Sequence, residues 1–324
     1  MYSRRFIAFH LHFMVWLIIV IFLVLSELTN IALLLSPIII IDLWLSITLG
    51  LMLLLPKNRN EDNLPEGWTW NQLRVKGYPV RWLSSDIDSD KPLAILIHGW
   101  NSRASNMTGR AELFLKNGYN CILFEMRAHG GNQSVQQWAA MHVVHDLEQC
   151  LIYFQENGML KHGFIVHGHS LGGFVAQRAL RPSLDTSKFS NGLILESPVA
   201  SYEYINNRTC EYLRIPQFLH GIMMKRLLWY YNAMNPDVYS VSSIAMLATP
   251  QWGLPNCPTI LVQAMNDATL GRKHADLLIK THEQESTDFE FHIVEDLNHA
   301  YEKTNTTRDK LIQEWMDENS LLFA

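Results

Sequence analysis

Gly163-Phe164-Ile165-Val166-His167-Gly168-His169-Ser170-Leu171-Gly172-Gly173-Phe174 is the stretch whose reading decides the fold of this chain. It opens as a short apolar run suited to a buried strand and continues into Phe174–Leu180, a helix-forming segment. Between them stands Gly-x-Ser-x-Gly, with Gly168 and Gly172 two positions either side of Ser170. A serine on so sharp a strand-to-helix turn occupies a strained backbone conformation, and its neighbours two positions away must be small to avoid collision. The helix that follows aims its first N–H groups at the turn, where negative charge is stabilised. The five-residue pattern alone occurs by chance. A strand before it and a helix after it make it specific for a nucleophilic serine.

Outward from this turn, the same alternation continues. Residues 93–98, 119–124, 192–196 and 259–263 are continuous apolar runs without a polar-facing side, as expected of strands covered by helices on both faces. Helices are expected at 105–117, 135–157, 171–180, 216–231, 272–283 and 306–321, with Ser134 and Gln137 as a capping box and Asn157–Gly158 as a stop. Residues 68–75 and 79–83 are more mixed and suit antiparallel strands, and 289–294 is a late strand. This alternation predicts an α/β domain with a mainly parallel sheet over 68–324.

The 324 residues are 48% apolar and 18% charged, which excludes large-scale disorder. A net charge of −5 argues against a nucleic-acid partner. Cys121, Cys150, Cys210 and Cys257 form no CxxC pair, so neither a zinc ribbon nor a disulfide framework is expected, and a reduced, cytosol-facing domain fits them.

The apolar content is concentrated at the start. Residues 6–25 and 31–55 form two long apolar segments, and a helix of about 20 apolar residues crosses a hydrocarbon core of about 30 Å. The second segment is interrupted by Ser36–Pro37, Asp42 and Ser46. The turn Ser26–Asn30 between them carries Glu27, whereas the outer flanks carry Arg4, Arg5, Lys57 and Arg59. The positive-inside rule then predicts a membrane hairpin (residues 1–56) with both flanks in the cytoplasm, a polar linker over 57–67, and the rest of the chain facing the cytoplasm. A cleaved signal peptide is disfavoured, because no small-residue cleavage site follows and a second apolar run comes directly after. Asp42 is costly in lipid and demands a partner or access to water.

A serine hydroxyl is a weak nucleophile and needs a base, which in turn needs a group to orient it. Asp267 follows strand 259–263 and His299 follows strand 289–294, so both fall at the strand-end edge of the sheet that carries Ser170. The chain order Ser170, Asp267, His299 is the order that accompanies this turn. Asp296 shares the His299 loop, and Asp276 lies within a helix, so both rank behind Asp267. Of the 14 histidines, His142 and His145 show an i, i+3 spacing without HExxH, and no metal site is expected. His167 and His169 flank the nucleophile without reaching its hydroxyl. An oxyanion needs preorganised N–H donors. The backbone N–H of Leu171 supplies one, and that of Trp100, in the His98-Gly99-Trp100-Asn101 loop after strand 93–98, the other.

On the His98-Gly99 turn, the Arg127-Ala128-His129-Gly130 segment, the Gly168–Gly172 turn, Asp267 and His299, the chain from Leu64 to Ala324 resembles the α/β-hydrolase superfamily. It is most similar to the monoacylglycerol-lipase-like and serine-aminopeptidase-like branch. The resemblance implies an eight-stranded, mostly parallel sheet and ester, thioester or amide hydrolysis without a cofactor. Glu125 departs from the pattern, since relatives often place an aspartate two residues before the arginine. Trp100 is bulky where many relatives are small. The resemblance also implies that the insertion at about 200–250 is a cap, the other reading of this segment being a plain helix packed on the sheet. In it, Met223, Met224, Leu227, Trp229 and Tyr230 are expected to line an acyl pocket. With a membrane hairpin ahead of it, the expected partner is a lipidic or acylated small molecule met at the bilayer, such as a monoacyl lipid ester. Two alternatives stay open: an acyl-thioesterase or protein deacylase using the same triad, and a catalytically silent membrane-bound interaction module.

Overall fold

The computed structural model describes residues 6–57, 64, 66–234, 240–300 and 302–323. Arg4, Arg5, Arg59 and most of the linker expected at 57–67 lie outside them. The chain divides into two compact units. One comprises Pro56–Ser134, Ala140–Tyr204 and Ala245–Ala324, the other Met1–Leu55, Val135–Ala139 and Ile205–Ile244.

The first unit is built on one eight-stranded sheet. Its strands are β1 (Thr69–Val75), β2 (Tyr78–Ser84), β3 (Leu93–Ile97), β4 (Asn120–Glu125), β5 (Phe164–His169), β6 (Ser190–Glu196), β7 (Thr259–Ala264) and β8 (Phe289–Val294). They lie in the order β1-β2-β4-β3-β5-β6-β7-β8, with β1, β2 and β4 joined antiparallel and every later pairing parallel. This is the mostly parallel α/β-hydrolase sheet expected above. Every residue of β3, β4 and β7 is buried, which explains why these strands read as unbroken apolar runs. Helices α3 (Thr108–Lys116), α4 (Ala140–Glu156), α5 (Leu171–Ala179), α8 (Lys273–Glu285) and α9 (Thr306–Glu318) connect or close the strands. Gly192 of β6 is small for a packing reason: a Cβ there would meet the Trp315 ring of α9 at 2.8 Å.

In the second unit, α1 (Ile7–Leu25) and α2 (Thr29–Met52) form a helical hairpin, followed in sequence by α6 (Tyr202–Tyr212) and α7 (Gln217–Met234). Both hairpin helices are long and apolar enough to cross a membrane. Pro37 does not break α2. Proline lacks the N–H that would bond the carbonyl four residues back, and the Ser36 hydroxyl donates to that Leu33 carbonyl instead (2.7 Å). The core of this unit joins Ala8, Leu45 and Leu49 to Cys210, Ile215, Leu219, Met223, Leu227 and Tyr230.

Two expectations about helices change. The helix expected from 135 begins at Ala140, because residues 135–139 belong to the other unit, so Ser134 and Gln137 cap no helix start there. Helix α6 has too few apolar residues to announce itself by periodicity.

One buried charge cluster ties the sheet to its helices. Glu196, at the end of β6, accepts from Arg110 of α3 at Nε (2.7 Å) and Nη2 (2.5 Å), from Arg308 of α9 at Nη1 (3.4 Å), and from His167 of β5 at Nε2 (3.1 Å). Burial pushes the Glu196 carboxyl up, but the two guanidinium charges outweigh it and hold the group well below the usual carboxylate range. Its contribution to stability is therefore complete above the unfolded-state carboxylate pKa and is lost only as pH falls through the lower folded value. Arg308 keeps its pair with Asp309, but removing the Glu196 charge leaves Arg110 buried without its carboxylate, so Glu196→Gln is expected to destabilise the unit by about 3–5 kcal/mol. A chemical-denaturation midpoint shift measures it, and a midpoint unchanged at neutral pH would contradict this account.

Candidate active site

Ser170 stands between β5 and α5 at φ 54° and ψ −117°, a left-handed conformation that side-chain-bearing residues avoid. Its surroundings show why the flanking residues are glycine. A Cβ on Gly168 would meet the Gly172 carbonyl and the Gly173 Cα at 2.6 Å, and a Cβ on Gly172 would run into the Ile97 carbonyl at the end of β3. The turn is pinned by its own backbone: the Ser170 N–H donates to the Glu196 carbonyl (2.9 Å), and the Ser170 carbonyl accepts from Gly173 (3.0 Å) and Val199 (2.9 Å).

The structure brings Ser170, Asp267 and His299 together across 129 and 32 residues of chain. The Ser170 Oγ lies 2.9 Å from His299 Nε2, and His299 Nδ1 lies 2.8 Å from Asp267 Oδ2. An ionised carboxylate only accepts, so Nδ1 carries the proton and Nε2 is left to accept from the serine hydroxyl. Asp267 is held from several sides: Oδ1 accepts the N–H groups of Thr269 (2.9 Å) and Leu270 (2.8 Å), and Oδ2 also accepts from Gln263 (3.2 Å). Burial raises the Asp267 carboxyl, but the bonds from His299 and the Leu270 N–H, with further help from the His299 charge and Gln263, bring it down to about 2. The carboxylate therefore stays charged at any pH at which an enzyme would be assayed. The competing carboxylates are turned elsewhere: Asp296 accepts from Thr307 (2.7 Å), and Asp276 accepts from Arg272 (2.9 Å).

The loop after β3 lies against Ser170. A Cβ on Gly99 would sit 3.1 Å from the Ser170 Cβ, which places the Gly99–Trp100 peptide beside the serine. His98 orients that peptide. Its Nε2 accepts the Met126 N–H (3.1 Å), so its Nδ1–H donates to the Gly99 carbonyl (2.8 Å). In a trans peptide the N–H points opposite to the carbonyl, so the same bond fixes the direction of the Trp100 N–H. Leu171 is the first residue of α5, where backbone N–H groups have no partner within the helix. Glu125 lies buried beneath this loop, accepting from the Ala104 N–H (3.2 Å).

His169 was given no task by its position in the sequence, and the structure gives it one. Its Nε2–H donates to the backbone carbonyl of His299 (2.8 Å). Burial lowers its pKa to about 3, so the ring stays neutral and the bond persists at ordinary pH. The residue beside Ser170 thereby holds the segment that carries His299. Only a contact spanning 130 residues reveals this, and no local pattern encodes it.

The five residues expected to line an acyl pocket lie in the unit that contains the hairpin. Met223, Leu227 and Tyr230 are buried in its core with Leu45 and Leu49, Met224 packs against that core, and Trp229 is exposed. Among the described residues, no group of three or more His, Cys, Asp or Glu side chains is placed to hold a metal ion. All four cysteines are free and buried.

Residues 88–245 match the protein family described as serine aminopeptidase, S33. That span contains Ser170 and ends before Asp267 and His299. No curated protein matches the sequence. Among solved structures, an esterase from Pyrococcus furiosus superposes with a TM-score of 0.60 at 16% identity, covering 83% of this chain and 98% of its own. Propionate-bound esterase 2 from Thermogutta terrifontis superposes with a TM-score of 0.58 at 15% identity, covering 80% and 97%. An alpha/beta hydrolase from a Penicillium species gives 0.56 at 13% identity, covering 79% and 98%. At these identities the likeness is one of fold.

Three substitutions separate the roles of the site. Asp267→Asn leaves the side-chain shape but removes the charge that fixes the imidazole tautomer, and is expected to lower kcat for p-nitrophenyl ester hydrolysis by about 10⁴-fold. His169→Ala is expected to lower kcat by about 10–100-fold with KM little changed, since it displaces the base without touching substrate. His169→Gln, whose amide N–H can reach the same carbonyl, should recover part of that loss. If alanine and glutamine behave alike, the positioning role is refuted.

Proposed function

We propose that the chain is a membrane-anchored serine hydrolase of the α/β-hydrolase superfamily, cleaving carboxylic esters. The observation that carries this reading is the continuous hydrogen-bonded line Ser170–His299–Asp267, with the serine at a strained turn beside a helix N-terminus. In the mechanism this supports, His299 Nε2 takes the Ser170 proton as Oγ attacks the ester carbonyl carbon. Asp267 holds the imidazole in the required tautomer and stabilises the imidazolium that forms. The Leu171 and Trp100 N–H groups stabilise the tetrahedral oxyanion, each contributing about 2.7–4 kcal/mol where such donors have been removed by mutation. His299 then protonates the leaving alcohol, and water, activated by the same imidazole, releases the acid from Ser170.

The substrate class follows from where the enzyme is held. On our reading, the apolar helices α1 and α2 anchor it to a bilayer with the hydrolase unit on the cytoplasmic side, where monoacyl lipids are concentrated. Two of the structures it resembles are esterases, which supports ester cleavage as the first activity to test.

A fluorophosphonate probe should label the full-length protein and fail to label Ser170→Ala. One acyl chain presented as ester, thioester and amide should give the highest kcat/KM for the ester. Labelling that survives in Ser170→Ala would remove the serine from the chemistry, and faster thioester or amide turnover would redirect the activity. Protease added outside intact cells should leave the hydrolase unit uncut. Digestion would reverse the orientation.

A further inference from the structure

Asp42 sits near the middle of α2, 13 residues after Thr29 and 10 before Met52, or about 20 Å and 15 Å along the helix at 1.5 Å per residue. It is enclosed by donors. His12 Nδ1 (2.7 Å) and Trp16 Nε1 (2.9 Å) of α1 donate to Oδ2, and Arg226 of α7 donates to Oδ1. Arg226 Nη1 also donates to the Asp42 carbonyl (3.2 Å) and to Ser46 Oγ (3.1 Å). An arginine side chain is far shorter than half the thickness of a hydrocarbon core. If α2 crosses a bilayer, the backbone of α7 near Arg226 therefore lies at the depth of Asp42 and not on the aqueous surface.

The surfaces of the helices agree. The buried residues of α2 are Leu45, Ser46, Thr48, Leu49 and Gly50, all on the far side of Asp42 from the hairpin turn, and Leu45 and Leu49 share a core with Cys210 of α6 and Leu219, Met223, Leu227 and Tyr230 of α7. The opposite face of α7 is apolar and bare: Phe218 is 82%, Ile222 46% and Trp229 58% exposed. At about 100° per residue these three fall within about 40° of one another around the helix, with Lys225 on the same face. A stripe of large apolar residues with one lysine and a tryptophan suits acyl chains below and lipid phosphates above.

We propose that α7 is the third membrane-embedded helix of this unit. It lies in the cytoplasmic leaflet against the terminal half of the hairpin, with Phe218, Ile222 and Trp229 facing lipid and Arg226 turned inward to neutralise Asp42. The insertion between β6 and β7 is then part of the anchor. This rests on the hairpin's being a membrane anchor, so the test reports on the two separately. Nitroxide labels are attached to Phe218→Cys, Ile222→Cys and Trp229→Cys in the full-length protein, in vesicles of phosphatidylcholine and phosphatidylglycerol. Reference labels stand at Ile18→Cys in α1, Leu34→Cys in α2, and Glu112→Cys on the exposed surface of α3. Collision with oxygen, which dissolves in lipid, is compared with collision with a water-soluble nickel chelate.

The expected oxygen-to-nickel ratio at 218, 222 and 229 matches that at 18 and 34 and exceeds that at 112 by about tenfold. A ratio like that at 112, with 18 and 34 still lipid-like, overturns the inference and leaves the anchor standing. Access of nickel to 18 and 34 overturns both. Low access of both reagents at 218, 222 and 229 means that protein, not lipid, covers the face, and also overturns it.

Discussion

The site depends on one close approach of backbone to backbone. The turn carrying Ser170 packs so tightly against the end of β3 that Gly172 has no space for a Cβ against the Ile97 carbonyl, and Gly168 has none against the following helix. That approach brings the Gly99–Trp100 peptide beside the serine, starts α5 directly after Ser170, and holds Ser170 at its positive φ. A strained residue persists only where its surroundings over-determine it, and here three hydrogen bonds to the Ser170 main chain and two steric limits do so.

Beneath the turn, the Glu196 cluster provides a second constraint of a different kind. The Ser170 N–H is bonded to the carbonyl of the same residue whose carboxylate binds Arg110, Arg308 and His167. The strand end that pins Ser170 is thus tied by charge to α3 and α9. His169 adds a third tie, from the turn to the main chain of His299. Steric exclusion, buried charge and a neutral hydrogen bond each act on a different part of the same site. Together they leave little freedom for Ser170 and His299 to separate.

Much of this was legible in the sequence because the relevant signals are local. The buried parallel strands are continuous apolar runs, so β3 to β7 begin and end within two residues of where composition places them. Asp267 and His299 could be placed near Ser170 because each follows a strand in one sheet, and strand ends share an edge. What was not legible depends on contacts far apart in the chain. The start of α4 was misread because Ser134 and Gln137 offer a local cap, whereas the chain after them belongs to another unit. The bond from His169 and the fixing of the Gly99–Trp100 peptide by His98 link groups whose pairing no periodicity announces. Helix α7 was recognisable as apolar, but an apolar face does not name what it packs against. Met223, Leu227 and Tyr230 pack with Leu45 and Leu49, far earlier in the sequence.

The arrangement around Asp42 also has a consequence for the order in which the chain matures. Arg226 lies 184 residues after Asp42, so on the membrane reading the hairpin is made and inserted before its cation exists. An unpaired aspartate at mid-membrane costs about 2.5–3.5 kcal/mol on insertion scales. His12 and Trp16 lie on α1, and both are synthesised before Asp42. Their N–H groups satisfy one carboxylate oxygen within the hairpin alone, which reduces the cost while α7 is still to come. The oxygen they leave is the one Arg226 binds. On that reading the hairpin supplies part of the hydrogen bonding of Asp42 by itself and leaves one carboxylate oxygen for the later helix. Docking of α7 is thereby favoured by charge as well as by the burial of Met223 and Leu227.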